Sequence, residues 1–129
     1  MKPFLNHLFA CAALLMLLAG VGHAAEAPYS KAQFDQAVAQ HKPVILHFAA
    51  DWCPTCKAQK PIVEQLIKGD KLKSVTLLVA NYDTETALKK QLRITQQSTF
   101  VVFKDGKEVG RSTGDTSKAG IEALFDKAI

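Results

Sequence analysis

The chain has 129 residues, enough to bury one core of ordinary size and too few for two comfortable domains. Its 16 Lys and Arg against 12 Asp and Glu leave a formal charge of +4. The excess is dispersed over Lys42, Lys57, Lys60, Lys68, Lys71, Lys73, Lys89 and Lys90 with no arginine cluster or interleaved aromatics, which argues for a solvated surface and against a nucleic-acid site.

Taken in order, the chain opens on an address. Lys2 supplies a positive charge, residues 8–21 form an uncharged stretch rich in Leu and Ala, and Gly22-His23-Ala24-Ala25 offers small residues for cleavage. This is the form of a cleavable secretory signal peptide over residues 1–25, cut after Ala24, Ala25 or Ala27. The apolar run falls short of the roughly 20 residues that a spanning helix needs. A lipid-modified Cys11 does not fit either, because the apolar segment follows that cysteine. The expectation is therefore an exported domain over residues 26–129.

Ser30-Lys31-Ala32-Gln33 fits a capping box, and Phe34, Ala37, Val38 and His41 follow at helical spacing, predicting a helix over 31–41 that Pro43 ends. The run 44–49 is short, apolar and partly β-branched, as in a strand buried on both faces. Next come Cys53, at a helix N-cap, and Pro54, at the first helical position. Ala58, Ile62 and Leu66, with Val63 and Ile67 beside them, predict one buried face for that helix. Pro61 lies inside it and is expected to kink it, and Gly69-Asp70 closes it.

A second buried strand is predicted over 74–80, then a short helix over 84–92 with Ala87, Leu88 and Leu92 inward. Residues 99–104 and 107–112, joined by Asp105-Gly106, read as a hairpin. A last helix, capped by Thr116 or Ser117, buries Ile121, Leu124 and Phe125. Crossover helices imply a parallel core and the hairpin adds antiparallel edges. The predicted fold is α/β, a mixed sheet of about four strands with helices on both faces.

Without residues 1–25, Cys53 and Cys56 are the only cysteines. One C-x-x-C pair is no disulfide framework, and a closed zinc site needs four ligands where the remaining histidines are only His41 and His47. A reactive dithiol fits better. At the N-cap, Cys53 would receive hydrogen bonds from free N–H groups and the positive end of the helix dipole, which favours its thiolate and makes it the nucleophile. Cys56, one turn on, is placed to attack a mixed disulfide on Cys53 as the resolving thiol.

These residues, together with Trp52-Cys53-Pro54-Thr55-Cys56-Lys57, Pro61, Asp83, Phe103-Lys104-Asp105-Gly106-Lys107 and Gly114, resemble the thioredoxin family in order and spacing over nearly the whole of 26–129. With an export signal, the Trp-Cys-Pro-Thr-Cys form is similar to that of periplasmic thioredoxin-like reductases, including those of cytochrome c maturation. The resemblance implies a thioredoxin-like fold and a monomer that needs no cofactor beyond its dithiol. It also implies reduction of disulfides in exported proteins, with electrons from a membrane thiol transporter of the DsbD or CcdA kind. The large insertion of the cytochrome-maturation proteins is missing, so the apocytochrome substrate is not carried over.

Two positions depart from the family pattern. Ser98, in Gln96-Gln97-Ser98-Thr99, stands where the family carries a cis-proline opposite the cysteines. A cis bond before a non-proline costs about 3–4 kcal/mol, so Gln97-Ser98 is expected trans. Ser98 either brings a hydroxyl near the sulfurs or is a plain polar loop residue. His47, six residues before Cys53, stands where the family carries a buried aspartate. It is either a base for the Cys56 proton or a core histidine with a satisfied ring.

Trp52 is expected to cover the cysteines and, with Pro54, Thr55, Gln97 and Ser98, to form the substrate-facing surface. No histidine lies between the cysteines to hold a Cys53 thiolate, which points towards a reductase. A disulfide oxidase or isomerase is the alternative direction. A thioredoxin-shaped binding or chaperone module with little redox turnover is the alternative class.

Overall fold

The computed structural model describes residues 26–129, so the signal-peptide expectation, with Lys2 and Cys11, lies outside the described residues. The described residues form β1 (Glu26–Pro28), α1 (Lys31–Ala39), β2 (Val44–Ala49), α2 (Pro54–Ile67), β3 (Thr76–Asn81), α3 (Thr86–Leu92), β4 (Thr99–Lys104), β5 (Lys107–Thr113) and α4 (Lys118–Phe125), with 3-10 turns at Asp70–Leu72 and Asp126–Ala128. The sheet has five strands in the order β1-β3-β2-β4-β5, one more than expected. The extra strand is β1, which pairs parallel with β3 through Glu26, Ala27 and Pro28. Three residues ending in proline carry no periodic signal, and proline is tolerated there because the strand is an edge.

Strand alternation sorts the core. Ile45, Leu77, Phe100 and Val102 pack against Val63 and Ile67 of α2 and Ile121, Leu124 and Phe125 of α4. On the other face, Val44, Leu46, Phe48, Leu78 and Val101 pack against Phe34 and Ala37 of α1 and Leu88 of α3. His47 shares the parity of Ile45 and so points towards α2.

Several boundaries differ from expectation. α1 stops at Ala39, and His41 takes φ 57° outside the helix. Its N–H bonds the Val38 carbonyl and that of Lys42 the Ala37 carbonyl, a Schellman cap with histidine where glycine is usual. α3 starts at Thr86, and Ala87 is exposed while Leu88 is buried. In α2 the buried stripe is Cys56, Gln59, Val63 and Ile67, with Ala58 in solvent. Gln59 reads as polar, so the apolar pattern drew the predicted face towards Ala58. α2 runs continuously through Pro61. Among the described residues no helix is long and apolar enough to cross a membrane.

The parallel pair β2 and β3 ends at Ala49 and Asn81, and antiparallel β4 begins at the same end, with Thr99 opposite Phe48. The start of α2 and the loop at Ser98 therefore meet beyond the carboxyl end of β2.

Candidate active site

β2 delivers the chain to the helix through a tight turn in which the Cys53 N–H donates to the Ala50 carbonyl at 3.1 Å. Cys53 takes an extended conformation as N-cap of α2, and Pro54 occupies the first turn, where no N–H is needed. The Cys56 N–H donates to Cys53 Sγ at 3.0 Å. That donor is one of the orphans of the helix start, and it would serve a Cys53 thiolate in the reduced protein. Here the two cysteines form a disulfide with their Cα atoms 5.3 Å apart. Both are buried in this oxidised form, Cys53 completely.

The expected substrate-facing residues gather around this point. Trp52 is 55 % exposed, and its indole Nε1–H donates to Asp83 Oδ2 at 2.9 Å. Asp83 is itself held by its backbone N–H on Asn81 Oδ1, so the end of β3 anchors the edge of the ring and leaves an apolar surface outward. Pro54 is exposed, and Thr55 and Gln97 are half-buried. Ser98 is buried with φ 55°, and every described peptide bond is trans. Its hydroxyl donates to the Gln97 carbonyl at 2.6 Å, so its proton stays within the loop.

His47 lies beneath the helix, stacked on Phe100 with ring centroids 4.3 Å apart. Phe125 in turn meets Phe100 edge-on at 5.1 Å. Burial pushes the imidazole down to about 4, the hydrogen bond to Gln59 working the other way. The ring is therefore neutral at ordinary pH. It borders a cavity of about 390 Å³ that also touches Cys56, Asp51, Lys57 and Lys60.

One residue the sequence reading passed over completes the site. Gln59 is fully buried, and its Oε1 meets His47 Nε2 at 3.0 Å. Its Nε2 donates to the Ser98 carbonyl at 3.2 Å and to the Asp115 carbonyl at 2.9 Å. The signal for it was its spacing, three after Cys56 and four before Val63, on the helix stripe that faces the sheet.

A family model described as Thioredoxin matches residues 26–127. The chain belongs to the thioredoxin family. The thioredoxin of Chlamydia trachomatis serovar D is 36% identical over 84 residues, covering 65% of this chain and 80% of that protein. The H-type thioredoxin of Chlamydomonas reinhardtii is 34% identical over 102 residues, covering 76% and 88%. Among solved structures, Trxlp from Edwardsiella tarda EIB202 superimposes with a TM-score of 0.76 at 37% identity, over 78% of this chain and 98% of that one.

Thioredoxin membership and a C-x-x-C disulfide at a helix N-terminus make this chain a thiol-disulfide oxidoreductase. Within the thioredoxin frame, the two departures from the family pattern are joined through Gln59: His47 by its ring and Ser98 by its carbonyl.

Proposed function

We propose that the protein is an exported reductase of protein disulfides, working as a monomer in the periplasm and re-reduced by a membrane thiol transporter of the DsbD or CcdA kind. The observation that carries the dithiol chemistry is Cys53 Sγ accepting the Cys56 N–H at the start of α2. Export rests on the composition of residues 1–25, and the reducing direction on Pro54 and Thr55 between the cysteines, with no cation to stabilise the reduced form further.

In the forward reaction the Cys53 thiolate attacks one sulfur of a substrate disulfide. The substrate S–S bond breaks, a mixed disulfide forms, and the first substrate thiolate leaves. Cys56 then loses its proton and attacks Cys53 Sγ, closing the Cys53–Cys56 disulfide and expelling the second substrate thiolate. Two electrons pass from the dithiol to the substrate, and the two substrate thiolates take up two protons. His47, on the cavity that Cys56 also lines, is the acceptor for the Cys56 proton, its burial being offset only while the Cys56 thiolate develops beside it. Trp52, Pro54, Thr55, Gln97 and Ser98 receive the substrate chain.

The test is the reduction potential of the Cys53/Cys56 couple in residues 26–129, together with disulfide reduction by Cys53→Ser. A potential near about -270 mV is expected for a reductase, whereas one near about -120 mV would make the protein an oxidant. Full activity in Cys53→Ser would remove the dithiol reading altogether. Cell fractionation of the full chain and of a chain lacking residues 1–25 tests the address, with only the former reaching the periplasm.

A further inference from the structure

We propose that Gln59 is a positioning residue: it selects the ring tautomer of His47 and, with the other half of the same amide, pins the loop at Ser98. The inference rests on reading Cys53 and Cys56 as the working dithiol.

The argument follows the donors and acceptors. The Ser98 and Asp115 carbonyls can only accept, so the group facing both must be the amide nitrogen of Gln59, and its two N–H bonds are both used there. Oε1 is then left facing His47 Nε2, and an amide oxygen can only accept. His47 Nε2 must therefore carry the ring proton. Turning the amide over would set its oxygen against two carbonyls in a fully buried place and forfeit both N–H bonds to them.

The lone pair of the neutral ring is thus confined to Nδ1. That nitrogen is then the one ring atom able to accept a proton as Cys56, which lines the same cavity, attacks Cys53 and the substrate thiolate departs. The proton returns to water by way of the cavity that His47 and Cys56 share.

The acceptors of Gln59 are themselves held. The Ser98 carbonyl also receives the Gly114 N–H at 3.0 Å. Asp115 Oδ1 accepts from the Ser117 N–H and hydroxyl, both at 2.8 Å, fixing the turn that presents its carbonyl. A loop that lacks the stiffness of a proline is in this way tied to α2 and to the start of α4. Displacing the Ser98 carbonyl on substrate docking would remove one of the two acceptors that fix the amide, and the hydrogen bond to the ring beneath Cys56 would loosen with it. Substrate loop and proton acceptor act as one unit.

The test reads the His47 ring directly, by long-range proton–nitrogen correlation on the reduced, nitrogen-labelled protein. In the wild type the ring is expected as the Nε2–H tautomer, and an Nδ1–H ring overturns the proposal without any variant being needed. In Gln59→Met, similar in length but without hydrogen bonds, the ring is expected to become a mixture and hydrogen exchange at Gly114 to quicken. Disulfide reduction should fall roughly 10- to 100-fold, as for a misplaced proton acceptor. A pure Nε2–H ring in that variant, with reduction within about twofold of wild type, would leave Gln59 a packing residue and sink the idea. The ring state is measured without turnover, so an error in the redox direction would not alter it. Full activity in Cys53→Ser would instead strike the dithiol reading and leave the tautomer standing.

Discussion

His47 shows how much of this site lies in one side chain's surroundings. A neutral imidazole in a place where the family carries a carboxylate avoids burying a charge, and burial against Phe100 keeps it neutral. The sign of the pH effect follows. The folded pKa, about 4, lies below the ordinary 6.5, so the unfolded chain binds more protons between those values. Stability from this group is present in full above pH 6.5 and is lost as the pH falls towards 4. The amount is on the order of 3 kcal/mol. Urea unfolding of the oxidised protein at pH 7 and pH 4.5 is expected to show this loss, and His47→Leu to lack it. An equal loss in both proteins would assign the acid sensitivity to other groups. At the same scale, the cysteine pair was legible from its spacing and its place before a helical pattern. The burial of Cys53 and the fate of the Ser98 hydroxyl were not, since spacing along the chain sets neither exposure nor the conformation of the loop at Ser98.

Among the elements, α2 carries the chemistry at its first turn and the support for it along its inner stripe. Its N-cap was readable because the rule that places Cys53 there is local. Its buried face was misread by one position because a buried glutamine looks like a surface residue until its partners, 39 and 56 residues further on, are known. The start of α4 belongs to the same structure. Gly114, at φ 75°, lets the chain turn into Asp115, and a Cβ on Gly120 would collide with the Asp115 carboxylate and Ser117 Oγ. Helix propensity alone would favour Gly120→Ala by roughly 1 kcal/mol. The opposite is expected, a destabilisation of about 1–3 kcal/mol as the Asp115–Ser117 cap is displaced. Thermal melting of Gly120→Ala decides between them, and a raised midpoint would refute the collision argument.

Across the whole molecule, the parallel β2–β3 pair and the returning β4 bring Cys53, His47, Ser98 and Asp83 to one end of the sheet. β1 closes the far edge, and its Ala27 and the following Tyr29 pack on the core beside α1. Of the expected cleavage positions, those after Ala24 and Ala25 leave β1 whole, and the one after Ala27 removes two of its three residues. A chain beginning at Pro28 is therefore expected to melt lower than one beginning at Glu26, at about 4–8 °C for each kcal/mol of lost edge. Equal midpoints would mean that β1 contributes nothing to stability.

The features legible along the chain were local ones. Short continuous apolar runs marked β2 and β3, the Asp105-Gly106 turn marked the β4–β5 hairpin, capping residues marked the helix starts, and a C-x-x-C before a helical stripe marked the redox chemistry, because each of these is set by neighbours within a few residues. The partners of the buried polar groups are set by the folded arrangement of strands and helices. His47, Gln59, Ser98 and Asp115 lie far apart along the chain and meet between α2 and the sheet end. A hydrogen bond between them is specified by where the strands cross, which no spacing along the chain records.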